Sequence, residues 1–97
     1  MAATRIARVP TANGSRYLQQ LCKHWAHKMP VEFTPEAGTV NFPGGTVARM
    51  TAYPAHLEVA LDLPDASAAG QMQDVLARHL DRFAFREAPL SFDWADA

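Results

Sequence analysis

The stretch that decides the fold is HLEVALDL, which runs from His56 to Leu63. Leucine or valine occupies every second position, and the positions between them carry His56, Glu58, Ala60 and Asp62. This strict alternation is typical of a strand in an antiparallel sheet that has one buried face and one solvated face. We therefore predict such a sheet around residues 56–63, with other elements covering its apolar face.

Two amphipathic helices flank this strand along the chain. The first is predicted from about Ser15 to Lys28, because its apolar residues recur at the helical spacing and Pro30 prevents its continuation. The second opens near residue 65, where Asp65 or Ser67 is the N-cap, and ends near residue 84. The core-facing residues are Leu18, Leu21, Cys22, Trp25 and Met29 in the first helix, and Met72, Val75, Leu76, Leu80 and Phe83 in the second.

The remaining segments are short strands separated by turns that contain proline or glycine. Strands are predicted at residues 4–9, 31–33, 39–42, 46–53 and 56–63, and Leu90, Phe92 and Trp94 alternate as in a closing strand. A run of four strands between two helices favours an antiparallel sheet with both helices on one face. We therefore predict one α+β domain over residues 1–97, with the β-α-β(4)-α order of the TATA-binding-protein-like folds. This analogy of topology carries no function with it.

Composition narrows the class of function. Lys and Arg total 9 and Asp and Glu total 10, so the net charge is -1. This balance argues against a dedicated nucleic-acid binder, because phosphate neutralisation needs a basic excess. Cys22 is the single cysteine and cannot form an internal disulfide. Residues 1–9 lack the apolar core of a signal peptide, and no stretch reaches the roughly 20 apolar residues of a membrane helix. We expect a cytoplasmic protein with no membrane segment.

Three stretches of the chain resemble a known bacterial family. They are SRYLQQLCKHWAHK at residues 15–28, HLDRFAFRE at residues 79–87 and LSFDW at residues 90–94. Together they resemble domain of unknown function 2218 (DUF2218) over nearly the whole chain. The family has no established activity, and some members are joined to, or encoded near, siderophore-interacting ferric reductases. The resemblance therefore implies an accessory role in iron handling and transfers no catalytic or binding residue.

Three histidines are candidates for a ligand or metal site. His24 and His27 lie three apart on the first predicted helix, so both side chains could reach one ligand. A metal would need further ligands, and the strong zinc patterns are absent, so two solvated histidines are the simpler expectation. His79 falls within the apolar stripe of the second helix. We expect its ring nitrogens to be hydrogen-bonded there, with the rim of a pocket beside Arg82 and Arg86 as the alternative.

The first helix is locally basic. Arg16, Lys23 and Lys28 lie between Ser15 and Pro30, and no acidic residue accompanies them. An ordinary solvated face would have this appearance, and so would a surface that docks an acidic partner or an anionic ligand.

Arg82 and Arg86 close the second helix, where the helix dipole favours cations. They could grip a carboxylate or phosphate in bidentate fashion. The simpler expectation is an ion pair of Arg86 with Glu87 or Asp93. The candidate ligand- or partner-binding residues are therefore Arg16, Lys23, His24, His27, His79, Arg82 and Arg86.

No pattern of catalytic residues stands out, and Cys22 is expected in the core. The leading interpretation is a non-enzymatic binding or accessory module whose partner is a protein or a small anionic ligand. The alternatives are a metal- or haem-binding protein that uses the three histidines, and a small enzyme with a pocket between the helices and the sheet. We predict no catalytic residue, metal site or cofactor. The expected state is a monomer, or a homodimer that uses the open sheet face near Tyr53.

Overall fold

A six-stranded antiparallel sheet contains the stretch from His56 to Leu63 at its centre. The computed structural model describes residues 2–96. The strands are β1 Ala3–Pro10, β2 Val31–Phe33, β3 Ala37–Asn41, β4 Val47–Ala52, β5 His56–Leu63 and β6 Asp93–Asp96, and the helices are α1 Gly14–Trp25 and α2 Ala69–Phe83. The strands lie in the order β2-β3-β4-β5-β1-β6. The predicted α+β class, the antiparallel sheet and the closing strand are confirmed.

One face of the sheet carries the core. Val59 of β5 lies opposite Ala7 of β1 on one side and Met50 of β4 on the other, and all three side chains are buried. Residues paired across antiparallel strands share a face, so this row faces the helices. Both helices pack against each other and contribute to the same buried cluster, with Leu18 and Leu21 from α1 and Leu76 and Leu80 from α2.

The opposite face of the sheet is polar. Arg49 of β4 donates two hydrogen bonds to the carboxylate of Asp62 on β5, at 2.7 and 3.0 Å. The hydroxyl of Thr4 on β1 donates to the same carboxylate at 3.0 Å. These contacts lower the pKa of Asp62, chiefly through the hydrogen bond from Arg49. The polar positions of the HLEVALDL stretch therefore tie neighbouring strands together.

Helix α1 ends earlier than the sequence predicts. The regular helix ends at Trp25, and residues 26–28 form a turn in which the N–H groups of Lys28 and Met29 both donate to the carbonyl of Trp25. The helical conformation is disfavoured for a residue that precedes proline, so the chain leaves the helix ahead of Pro30. The prediction that residues 26–28 belong to the helix is wrong.

The starts of α2 and of the closing strand also differ from the sequence prediction. Asp65 caps a short 3-10 helix, Ala66–Ala68, by accepting the N–H of Ser67 at 3.0 Å, and α2 follows that turn. The closing strand begins at Asp93 and not at Leu90, because the N–H of Leu90 donates to Asp81 of α2 at 2.8 Å. Leu90 is buried, but in the connection and outside the sheet.

The elements follow one another as β-α-β(4)-α with a final strand. The likeness to the TATA-binding-protein-like folds stays a prediction. Neither helix within residues 2–96 has the length and apolar character needed to cross a membrane.

Candidate functional site

A cleft of about 210 Å³ opens where α1 meets the turn after α2. Its lining residues are Arg16, Tyr17, Gln20, Phe83, Phe85 and Arg86. Arg16 and Gln20 lie four residues apart on α1 and therefore project from one side of that helix. Phe83 is the last residue of α2, and Phe85 and Arg86 belong to the turn of residues 84–87 that follows it. We call this feature the basic cleft.

The two arginines of the basic cleft have no carboxylate partner within residues 2–96. The guanidinium of Arg86 lies 5.7 Å from the centre of the Phe85 ring, an arrangement in which the ring face attracts the cation. The expected ion pair of Arg86 with Glu87 or Asp93 is wrong. Asp93 belongs to the edge strand β6, and Glu87 is held by other donors.

The Glu87 carboxylate accepts hydrogen bonds from three side chains. The hydroxyl of Thr11 donates at 3.0 Å to both oxygens, and the side-chain Nδ2 of Asn13 donates to Oε2 at 3.1 Å. The hydroxyl of Tyr17 also donates to Oε2. We call these four residues the Glu87 clamp. It ties the connection between β1 and α1, and α1 itself, to the turn that carries Arg86.

The electrostatics of the clamp keep Glu87 ionised. The hydrogen bond from Tyr17, followed by those from Asn13 and Thr11, lowers the pKa of Glu87. The same hydrogen bond, together with burial, raises the pKa of the Tyr17 phenol. Because the carboxylate is fixed by these donors, its charge lies beside the basic cleft without pairing with either arginine.

The structure brings His24 and His79 together. Their ring centres are 5.9 Å apart, and the Trp25 ring lies 5.0 Å from that of His79. The Nδ1–H of His79 donates to the carbonyl of Val75 at 2.7 Å, so one of the two ring nitrogens is hydrogen-bonded as expected. Burial lowers the pKa of His24, and its neighbours His79 and Lys28 lower it further.

His27 makes no ring contact with this pair among the described residues. It lies exposed in the turn of residues 26–28, just beyond the regular part of α1. Among residues 2–96, no cluster of three or more His, Cys, Asp or Glu side chains is arranged to hold a metal ion.

The predicted site residues therefore divide into three groups. Arg16 and Arg86 meet in the basic cleft, and His24 and His79 form a ring contact next to it. Phe83 links the two places, because it lines the cleft and lies 5.8 Å from the His24 ring. The other predicted residues, Lys23, His27 and Arg82, are exposed.

Sequence reasoning did not identify Tyr17, Gln20 or the Glu87 clamp as parts of the site. Gln20 lies one helical turn from Arg16, and that spacing was a usable signal. The clamp had none, since Glu87 joins Asn13 and Tyr17 across some 70 residues of chain.

Cys22 lies in the core, as expected. Its side chain is fully buried, and burial raises the pKa of the thiol to about 11. A neutral buried thiol is a poor nucleophile.

The fold and the site define the class of protein. It is a small α+β domain with two helices on one face of an antiparallel sheet and a basic cleft between the helix ends. The chain belongs to the DUF2218 family, described as an uncharacterized protein conserved in bacteria, whose sequence pattern matches residues 6–95. It is similar to a solved structure described as "NMR structure of PA4090 from Pseudomonas aeruginosa", with 38% sequence identity and a TM-score of 0.79. The alignment covers 96% of this chain and 95% of that chain. No curated protein matches this chain.

Proposed function

We propose that this protein is a non-enzymatic binding module that holds the anionic group of a small ligand in the basic cleft. The observation that carries the proposal is the convergence of Arg16 and Arg86 on one cleft with no ion pair to either side chain in the described part of the chain. The two arginines come from positions 70 residues apart, so the fold itself assembles the pair.

Electrostatics favour an anion at this place. Two guanidinium groups lining one small cleft repel each other, and a bound anion relieves that repulsion. Each guanidinium offers a planar fork of donors that matches the two oxygens of a carboxylate or phosphate. The amide of Gln20 provides a further donor on the same side of α1.

The Glu87 clamp strengthens this argument. A carboxylate paired directly with Arg86 would occupy the donors of its guanidinium and compete with a ligand. In this structure Glu87 instead accepts from Thr11, Asn13 and Tyr17, and the turn that presents Arg86 is fixed in place by the same bonds. The arrangement is typical of a preorganised binding site, which loses little freedom when a ligand arrives.

The chemistry of Cys22 and Glu87 supports binding more than catalysis. Cys22 is buried with a raised pKa, and Glu87 is a weakened base because its pKa is lowered. A general base works best when its pKa lies near the operating pH. Neither side chain meets that requirement, so we favour a binding module over an enzyme.

The finer form of the proposal places the module in iron or siderophore metabolism. This form rests on the genomic setting that the family resemblance implies, and an anion-binding cleft is chemically compatible with it. Transcript levels should then rise under iron limitation, and pulldowns should recover an iron-related protein. Unchanged transcript levels together with the absence of any such protein would overturn the iron assignment and leave the anion site untouched.

The direct test measures the affinity for inorganic phosphate by calorimetry at low ionic strength, where exposed charges are least screened. Arg16→Ala and Arg86→Ala should each lower the affinity by about tenfold or more, as expected for the loss of a charge-assisted hydrogen bond. Arg78→Ala is the matched control, because Arg78 lies exposed on α2 in an ion pair with Asp74. Equal affinities for the wild type and all three variants would contradict the proposal.

A further inference from the structure

We infer that the ligand of the basic cleft is a small aromatic acid, with one ring that packs on the phenylalanines and a carboxylate that the arginines bind. This inference rests on the proposed function and specifies its ligand class.

The apolar half of the cleft contains an unusually exposed ring. Phe85 is 71% exposed, whereas Tyr53, the next most exposed large hydrophobic side chain among residues 2–96, is 44% exposed. Phe83 is half-buried and lines the same cleft. Exposed aromatic surface of this kind is stabilised when another apolar surface covers it, and a ring is the best partner because aromatic pairs gain beyond simple burial.

The charged half lies directly beside the exposed ring. The Arg86 guanidinium is 5.7 Å from the centre of the Phe85 ring, and Arg16 of α1 lines the same cleft. A ligand that packs against Phe85 therefore places a substituent of its ring next to a guanidinium. A planar carboxylate fits the planar fork of donors and stays coplanar with an aromatic ring.

The size of the cleft limits the ligand to one ring. The cleft holds about 210 Å³, which is below the roughly 300 to 1,000 Å³ of pockets that hold drug-sized ligands. A nucleotide or a haem group would extend well beyond it.

The test compares three carboxylates of equal charge by calorimetry on the full chain: acetate, cyclohexanecarboxylate and benzoate. We expect benzoate to bind about tenfold more tightly than acetate, and cyclohexanecarboxylate to lie between them. Phe85→Leu should lower the benzoate affinity about threefold more than it lowers the acetate affinity, because leucine removes the ring-on-ring contact. Tyr53→Leu removes an exposed ring outside the cleft and should change neither affinity.

The outcomes separate this inference from the proposed function. If benzoate and acetate bind equally and both depend on Arg16 and Arg86, the aromatic class is wrong and the anion site stands. If Phe85→Leu leaves the preference for benzoate intact, the inference is also overturned. If neither these carboxylates nor inorganic phosphate binds, the proposed function fails and the inference fails with it.

Discussion

Gly38 shows how one residue without a side chain determines how closely a helix approaches the sheet. It lies buried in β3, where a Cβ atom would be 2.7 Å from the Sγ atom of Cys22 on α1 and 3.3 Å from the Cβ atom of Phe33. Such a separation from sulfur is too short for real carbon atoms. The absence of a side chain at position 38 therefore allows α1 to lie close to β3.

Gly38→Ala should destabilise the protein by about 1–3 kcal/mol, the usual cost of overpacking a core. The effect should be smaller in a Cys22→Ala background, because that substitution removes the sulfur atom that the new Cβ would meet. Urea denaturation of the four proteins of this double-mutant cycle measures the coupling.

Gly70→Ala is the matched control for this cycle. Nothing lies within 4 Å of a Cβ added at Gly70, which belongs to α2. Alanine there should be neutral or stabilising by up to about 1 kcal/mol, because it favours the helix more than glycine does. If Gly38→Ala proved as harmless as Gly70→Ala, the close approach of α1 to β3 would be wrong.

The sequence pattern did not reveal this role of Gly38. The residues 35–38 have the composition of a turn, and the predicted strand therefore started at residue 39. In the structure the strand begins at Ala37, and Gly38 pairs with Phe33 on one side and Met50 on the other. A glycine that makes room for a helix looks the same in sequence as a glycine that makes a turn.

At the scale of elements, the Glu87 clamp joins segments that are distant along the chain. Its donors lie in the connection after β1 and in α1, and its acceptor lies in the turn after α2. Asn13 makes no side-chain cap to α1, and its side-chain amide donates to Glu87. The clamp therefore ties the start of α1 to the turn after α2 and holds the two walls of the basic cleft together.

Glu87→Gln keeps the shape of the clamp and removes its charge. At neutral pH we expect the variant to be less stable by about 1 kcal/mol, less than is usual for hydrogen bonds to a charged group because the carboxylate is exposed. The folded-state pKa of Glu87 lies below its ordinary 4.5. The stability that the charge of Glu87 contributes is therefore fully present above pH 4.5 and disappears as the pH falls through the folded-state pKa.

Urea denaturation of wild type and Glu87→Gln at neutral pH and well below pH 4.5 measures this difference. The gap between them should close at acidic pH. Asp74→Asn is the control, since it removes an exposed carboxylate paired with Arg78 on α2, and such pairs contribute little. If the two proteins had equal stability at neutral pH, or if the difference in stability persisted unchanged in acid, the charge of Glu87 would not stabilise the clamp.

Helices and strands with a regular spacing of apolar residues were predictable from the sequence. The contacts between these elements were not. The alternation in residues 56–63 gave β5 with its correct ends, and the apolar stripe of α1 gave the core residues Leu18, Leu21 and Trp25. Periodicity says which face of an element is buried and does not say which neighbour covers it. The meeting of Arg16 with Arg86 depends on how α1 and α2 pack, and no local pattern contains that information.

For the whole molecule, the near-neutral net charge conceals an uneven distribution. The sheet strands hold complementary pairs, Arg5 with Asp96 and Arg49 with Asp62. The cleft on the helix side holds two arginines without such partners in the described residues. A net charge of -1 therefore argues against a dedicated nucleic-acid binder and says nothing against a local anion site.

The assignment of the basic cleft as the binding site is tested most directly by titrating the ¹⁵N-labelled protein with benzoate and with inorganic phosphate. Backbone amide chemical shifts report where each anion binds. We predict that the largest shifts fall on residues 16–20 of α1 and on residues 83–87 at and after the end of α2, and that Arg86→Ala abolishes them. Amides of β4 and β5 around Arg49 and Asp62 should stay unchanged, because those charges already pair with each other. Shifts centred on the open sheet face, or no localised shifts with either anion, would contradict the assignment of the basic cleft as the binding site.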